Sequence, residues 1–369
     1  MPAEPGDLIL LVGTMKGAYL FRSGPDRGEF SMDGPHFPGQ AIYALAFDGR
    51  GGRQRLLAGT ESSHWGAVVR TSDDFGQSWT DPADGNVRFP EGSGGALKRV
   101  WQLLPAGADQ PDLVYAGVEP AALFRSSDGG DHYELVTGLW DHPHRPHWPP
   151  GGGGQCLHTV VLRDDDPDRL LVAISTGGVY RSEDGGKSWQ PRNQGIRAVF
   201  LPEDQRYPEY GQCVHKVAPA AGQPDRLYLQ NHWGLYRSED GADSWADVAN
   251  GVPSDFGFPV VAHPRDPNTA YVIPLDSDGF RCTAEARARV YRTRDAGASW
   301  QPLTSGLPQE HAWLTVLRDG FTSDRGDPAG LYFGTRSGEL YASTDDGDSW
   351  RQLAAHLPPI VCVKAALVP

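Results

Sequence analysis

One phrase occurs twice in the chain, Gly-Gln-Cys-Leu-His ending at His158 and Gly-Gln-Cys-Val-His ending at His215. A neutral imidazole is a good ligand for Zn, Mn or Cu, and imidazole titrates near neutral pH, so matched histidines suit either a metal centre or an acid and a base. His232 and the segment DHPHRPH at 141–147 add further imidazoles. His158, His215 and His232 are candidate ligands of a divalent transition metal (Zn, Mn or Cu), and His158 and His215 are candidate catalytic groups. The competing reading is two histidines held in the core by hydrogen bonds, because this spacing is not a known metal signature.

Glycoside cleavage asks for paired carboxylates instead. Glu61 and Glu119 each close an apolar run and are candidate catalytic residues, with Asp141, Asp255, Asp276 and Asp278 as further acidic groups. Positive charge accompanies them at Lys16, Lys98, Arg99, Arg145, Arg336 and Lys364, which suits an anionic substrate such as a uronate. Trp65, Trp101, Trp140, Trp148, Trp233 and Trp313 offer flat faces for sugar rings, the alternative for any one of them being a cap over a strand. Together with Tyr43, Arg99, Arg336 and Lys364 they are the candidate substrate-binding residues.

The elements that would position these groups are written in a second repetition. YRSEDGGKSW at 180–189 returns as YRSEDGADSW at 236–245 and as YRTRDAGASW at 291–300. Weaker copies end at Trp79, Tyr133 and Trp350, and a degenerate one surrounds Arg22. Arg22, Arg70, Arg125, Arg181, Arg237, Arg292 and Ala342 mark the same place in seven units, at intervals of 48 to 56 residues. A fixed period of this kind indicates a repeat architecture.

Within each unit two short apolar runs flank a Gly-containing turn, an Asp/Gly turn with Ser-Trp follows, and another apolar segment precedes them. These preceding segments are YALAF, VWQLLP, HTVVL, HKVAP, FPVVA and WLTVL. Four short antiparallel strands, A to D, repeated radially, make the blades of a propeller. The expectation is an all-β, seven-bladed β-propeller forming a single domain over 1–369. The first unit opens on its second strand at LILLVG, and VCVKAAL at 361–367 supplies the missing inner strand and closes blade one, which removes two exposed edges.

The repeated turn resembles the Asp-box, or BNR repeat, of the form S-x-D-x-G-x-[ST]-W, as in Ser182 to Trp189; five copies carry the Trp. Proteins sharing it include sialidases, xyloglucanase-type glycoside hydrolases, sortilin-type receptors and a photosystem assembly factor. The resemblance implies that the box is a folding device on the C–D turn, remote from the working face. The residues agree: Asp bonds turn amides, Gly supplies positive φ, and Trp is a large anchor. The resemblance to sialidases stops short of their chemistry. No F/Y-R-I-P segment is present, and no arginine triad or Tyr/Glu nucleophile pair can be assigned, so sialidase activity is not expected.

Long connections at 80–98, 138–155, 190–212 and 275–289 fall on the face of the D–A and B–C loops, where function is expected. In this register Lys364, Tyr43, Trp101, His158, His215, Phe258 and Trp313 form one layer around the channel mouth. The net charge of −14 argues against nucleic acid or an anionic membrane as partner. Four cysteines, three of them at matched strand positions, read as packed thiols, and no leader precedes Leu8, which together suggest a cytoplasmic protein, although many proteins with this box are secreted. The expected function is a carbohydrate-active or related small-molecule enzyme, hydrolase or lyase. The alternative is a non-catalytic propeller that holds a protein partner.

Overall fold

The computed structural model describes residues 4–62, 64, 66–82 and 85–369. The fold is an all-β, seven-bladed β-propeller of antiparallel sheets. Apart from one four-residue helix, Thr137–Trp140, and short 3-10 turns, every regular element among the described residues is a strand. No described helix is long and apolar enough to cross a membrane.

Blade packing explains why strands that belong to an antiparallel sheet read as unbroken apolar runs. Leu8–Thr14, Val114–Glu119, Leu170–Ile174 and Ala270–Pro274 are buried at every position. A strand covered on both faces loses the usual alternation of apolar and polar residues. In blade one the order is Ile360–Leu367, Leu8–Thr14, Gly17–Ser23, Ser31–His36, so the C-terminal strand joins the first sheet. Val368 N–H donates to the Asp7 carbonyl and Gly6 N–H to the Val368 carbonyl, both at 2.9 Å.

The repeated decapeptide is a turn tied by its own side chains. Ser182 Oγ donates to Asp184 Oδ1 at 2.8 Å, Gly186 N–H donates to Ser182 Oγ at 2.9 Å, and Ser188 donates its amide and hydroxyl to the two Asp184 oxygens at 2.9 and 2.6 Å. The same pattern holds around Asp74, Asp240, Asp295 and Asp345. At Asp128 a histidine stands in for the serine, His132 Nδ1 lying 2.8 Å from Asp128 Oδ2. The arginine immediately before the first serine or threonine of the turn reaches outward. Arg22 Nη2 donates to the Phe75 carbonyl at 2.8 Å, and Arg292 Nη1 to the Asp346 carbonyl at 3.0 Å and to Asp348 at 2.7 Å. Two of the tryptophans also bond to the preceding blade, Trp245 Nε1 on the Arg192 carbonyl and Trp300 Nε1 on the Val248 carbonyl, while Trp189 Nε1 bonds the Gly186 carbonyl of its own turn.

The chain divides into two compact units. The first runs to Val172 and includes Ser182–Trp189 and Val361–Pro369; the second comprises Ala173–Arg181 and Gln190–Ile360. In the first, Leu57, Val69, Val100, Leu103, Val118 and Phe124 share a core with Trp140. In the second, Tyr271, Leu303, Leu331, Phe333, Tyr341 and Trp350 do the same.

Two strand assignments need correction. Among the described residues, blade two has three strands, Ala41–Asp48, Arg55–Ser62 and Gly66–Ser72. In place of a fourth, the Asn86 side chain bonds both backbone groups of Val69, at 3.1 and 2.9 Å, which satisfies the edge locally. The apolar segment WLTVL is not the inner strand of blade seven. That strand is Phe321–Ser323, paired through Phe321 with Phe333. Leu314 and Val316 are buried all the same, as parts of an irregular segment whose Leu314 amide and carbonyl region is tied to Thr283. An apolar run identifies burial before it identifies a strand.

Candidate functional site

In the first unit, two glutamates meet on one arginine. Glu61 ends the middle strand of blade two, Glu119 ends Val114–Glu119 in blade three, and Arg99 opens the strand beside it, in register with Glu119. Arg99 holds Glu61 with two contacts, Nε to Oε2 at 2.5 Å and Nη2 to Oε1 at 3.0 Å. Its third nitrogen, Nη1, lies 3.7 Å from Glu119 Oε2. Trp101 Nε1 donates to the same Glu119 oxygen at 3.2 Å, and Lys98 Nζ stands 4.0 Å from the other. The guanidinium lies 4.2 Å from the Tyr43 ring centre and 5.4 Å from that of Trp101. Arg99 is shifted up: its burial, which acts downward, is outweighed by the Glu61 hydrogen bonds and the neighbouring charges. Two negative charges and one positive thus share a half-buried site with an aromatic wall.

The second unit builds a different cluster. Cys213 and His215 straddle the start of the inner strand Val214–Ala220, and His232 follows the strand Gln223–Asn231 that pairs with it. His232 N–H donates to the Cys213 carbonyl at 2.8 Å, which draws the two side chains together. One donor atom from each of Cys213, His215 and His232 lies within 4.8 Å of the other two. Cys213 Sγ is 3.8 Å from His215 Nε2, and His215 Nδ1 is 2.6 Å from the Gly257 carbonyl. A carbonyl only accepts, so Nδ1 carries the hydrogen and Nε2 presents its lone pair. Phe256 and Phe258 pack against the His215 ring, with centroids at 5.9 and 4.6 Å. Burial pushes the Cys213 thiol up, and burial likewise pulls His232 down against the opposing pull of Asp278, whose Oδ2 is 3.4 Å from His232 Nε2.

Tyr43, Trp101 and His215 share a backbone feature. Each is the residue at which inner-strand pairing slips, between Ile42 and Ala44, between Val100 and Gln102, and between Val214 and Lys216. Phe258 falls in the same kind of slip, between Gly257 and Val260. A bulge leaves one residue unpaired and re-aims its side chain, and it is these unpaired residues that line both clusters.

The remaining candidates are scattered. His158 is fully buried in the first unit, its Nδ1 2.9 Å from Thr159 Oγ1, and it is not among the three residues of the donor cluster. Lys364 is half-buried on the C-terminal strand, and Arg336 is exposed. Trp65 lies outside the described residues. The tryptophan faces depart from the expected open wall. Trp101, Trp140 and Trp148 are buried, the last two in the 138–155 segment, where the Arg145 guanidinium covers Trp140 at 3.2 Å. Trp233 is half-buried against Phe200, and Trp313 alone of the described five is open, at 53% exposure, packed edge-on to Phe280. Asp255 pairs with Arg197 at 3.4 Å and is pushed up by burial.

Sequence reasoning placed Cys213 only as a packed thiol, although its position two residues before His215 puts both on one side of an extended segment. It missed the ion pair of Lys216 with buried Asp319, at 2.9 Å, because 103 residues separate the partners.

No protein-family model matches the chain. Among curated proteins it is 23% identical over 235 residues to a xyloglucanase of Paenibacillus sp, an alignment covering 54% of this chain and 21% of that protein. It is also 23% identical over 281 residues to a probable oligoxyloglucan-reducing end-specific xyloglucanase of Neosartorya fischeri, covering 68% and 32%. The chain therefore spans between 21% and 32% of the length of these relatives. Among solved structures, an ancestral GH74 enzyme superposes with a TM-score of 0.55 at 16% identity, over 86% of this chain and 39% of that one. YCF48 bound to D1 peptide superposes with a TM-score of 0.54 at 14% identity, over 95% and 86%. These structural likenesses establish a shared fold, and the sequence relatives add low-identity similarity to xyloglucanases.

Proposed function

We propose that the chain is a carbohydrate-active propeller that hydrolyses glycosidic bonds, with Glu61 and Glu119 as its carboxylate pair. The observation that carries this reading is the convergence of the two glutamates, from neighbouring blades, on the single guanidinium of Arg99. Glycoside hydrolysis uses two carboxyl groups flanking the bond, one as acid and one as base or nucleophile. Arg99 grips both oxygens of Glu61 and fixes its orientation, a bidentate geometry that Lys could not reproduce. Glu119 is oriented by Trp101, and Lys98 places positive charge at the rim for a ligand bearing carboxylates. The low-identity similarity to xyloglucanases supports the same class, with xyloglucan as the first substrate to test.

The test is release of reducing ends from xyloglucan and from a panel of neutral and uronate-containing polysaccharides. Glu61→Gln and Glu119→Gln should each lower kcat/KM by at least about 100-fold, the usual worth of a positioned acid or base, with the thermal melt little changed. Turnover that survives both substitutions would remove the pair from the chemistry.

A second reading, a protein-binding propeller, is favoured by one observation. Phe200, Tyr207, Phe280 and Trp313 are large aromatic or apolar side chains more than half exposed in the second unit, the composition found at interface anchors. The YCF48 neighbour was solved with a peptide. Absence of turnover on the whole panel, with a peptide or protein ligand lost on Trp313→Ala, would select this reading.

A further inference from the structure

The cluster in the second unit has the composition of a metal centre. It combines one thiol and two imidazoles, a set that selects thiophilic first-row ions over Mg or Ca. Ligand atoms on a tetrahedral zinc, with bonds of about 2.0 to 2.3 Å, stand about 3.3 to 3.6 Å apart. The Cys213 Sγ to His215 Nε2 distance of 3.8 Å is within a small side-chain adjustment of that spacing, and the whole donor set fits within 4.8 Å.

Three further features fit. The Gly257 carbonyl holds the His215 hydrogen on Nδ1, the outer hydrogen bond that metal-binding histidines make. Asp278 adjoins His232 and supplies the carboxylate that commonly orients or completes such a site. Cys213 and His232 are only half-buried, which leaves an entry path for the ion, while His215 is rigidly packed at 2% exposure between Phe256 and Phe258.

We propose that Cys213, His215 and His232 bind one Zn(II) ion, leaving a fourth position for water or for an oxygen donor of a small ligand. On binding, the Cys213 thiol gives its proton to solvent and its sulfur lone pair to the metal. His215 and His232 bind as neutral imidazoles. The site shares no residue with the Glu61–Glu119 pair, so either proposal can fail while the other stands.

The experiment is titration of the chelator-treated full chain with zinc chloride by calorimetry, together with cobalt(II) substitution followed by absorption. One equivalent should bind per chain, and Cys213→Ser and His232→Asn should each weaken binding at least about tenfold. The cobalt form should show a thiolate-to-metal charge-transfer band that Cys213→Ser abolishes. The two half-buried positions carry the test, because His215→Asn removes a packed side chain and can compromise folding. Binding far below one equivalent, binding unchanged in both variants, or a cobalt adduct without the thiolate band would each overturn the proposal.

Discussion

Arg181 Nη1 lies 2.9 Å from Asp243 Oδ1 and donates to the Gly241 carbonyl at 2.6 Å, so the arginine of one repeat is latched onto the Asp/Gly turn of the next. Arg237 makes the equivalent bond to the Ala296 carbonyl, and Arg292 bonds the Asp346 carbonyl and the Asp348 carboxylate. The repeated Tyr-Arg-Ser therefore joins blades as well as forming a strand end. Apolar packing between sheets is non-directional, and Arg22, Arg181, Arg237 and Arg292 each add a directional bond to the next turn.

Removing the latch should weaken the fold rather than the site. Arg181→Ala should cost about 1.5 to 3 kcal/mol, the range for hydrogen bonds to charged groups, because the Gly241 carbonyl loses its partner in a buried setting. Arg181→Lys should recover only part, since an ammonium cannot serve both acceptors in a fixed fork. Urea unfolding measures it, and an unchanged midpoint for Arg181→Ala would show that the bond contributes nothing net.

The Asp turns should make the protein acid-sensitive in a defined window. Asp74 and Asp184 are held down to about 2, first by the Ser78 and Ser188 hydroxyls and then by the amides of the same residues. Asp128 also reaches about 2, burial acting upward but being outweighed by the His132 amide and the Ser126 hydroxyl. With folded-state values below the ordinary 3.8, the unfolded chain takes up protons first as the pH falls. The turns' contribution is complete above the unfolded value and disappears as the pH drops through about 2. Unfolding midpoints taken at neutral pH and through this window should fall steeply, and Asp128→Asn with Asp184→Asn should flatten the slope. An unaltered slope in the double variant would place the acid sensitivity elsewhere.

Deleting Val361–Pro369 should be far more damaging than loss of a frayed terminus. The segment carries most of the inner strand of blade one, and Cys362 and Val363 are fully buried. Its removal exposes the edge of Leu8–Thr14, a fully buried apolar strand, as a template for aggregation. The expected result is a large drop in melting temperature and loss of monomeric protein on size exclusion. A truncated chain that melts like the full one would mean that the C-terminal strand adds little to the first sheet.

Much of the architecture is legible in the residues because it is local and repeated. The Asp/Gly turn needs a Ser, an Asp and a second Ser at fixed spacing, and every one of those bonds spans four residues or fewer. The apolar runs that precede it must be strands once the period is known, since each is too short for a helix between such turns. Even here the letters mislead where burial comes from another source. WLTVL carries the right residues for the inner strand of blade seven, yet Phe321–Ser323 takes that place.

The candidate sites are legible only as lists of residue types. That Glu61, Glu119 and His215 belong near strand ends follows from the repeat, but which partners reach them does not. Arg99 lies 38 positions from Glu61, and their pairing depends on the packing of two blades. The unpaired residues at Tyr43, Trp101 and His215 depend on register slips that no local preference announces. The sequence by itself therefore determined the repeat, the turns and the closing strand, because short-range bonds and apolar periodicity encode them. Only the tertiary structure decided which tryptophans are covered and that Cys213 joins His215 and His232, because those outcomes are set by the distances between side chains on separate strands.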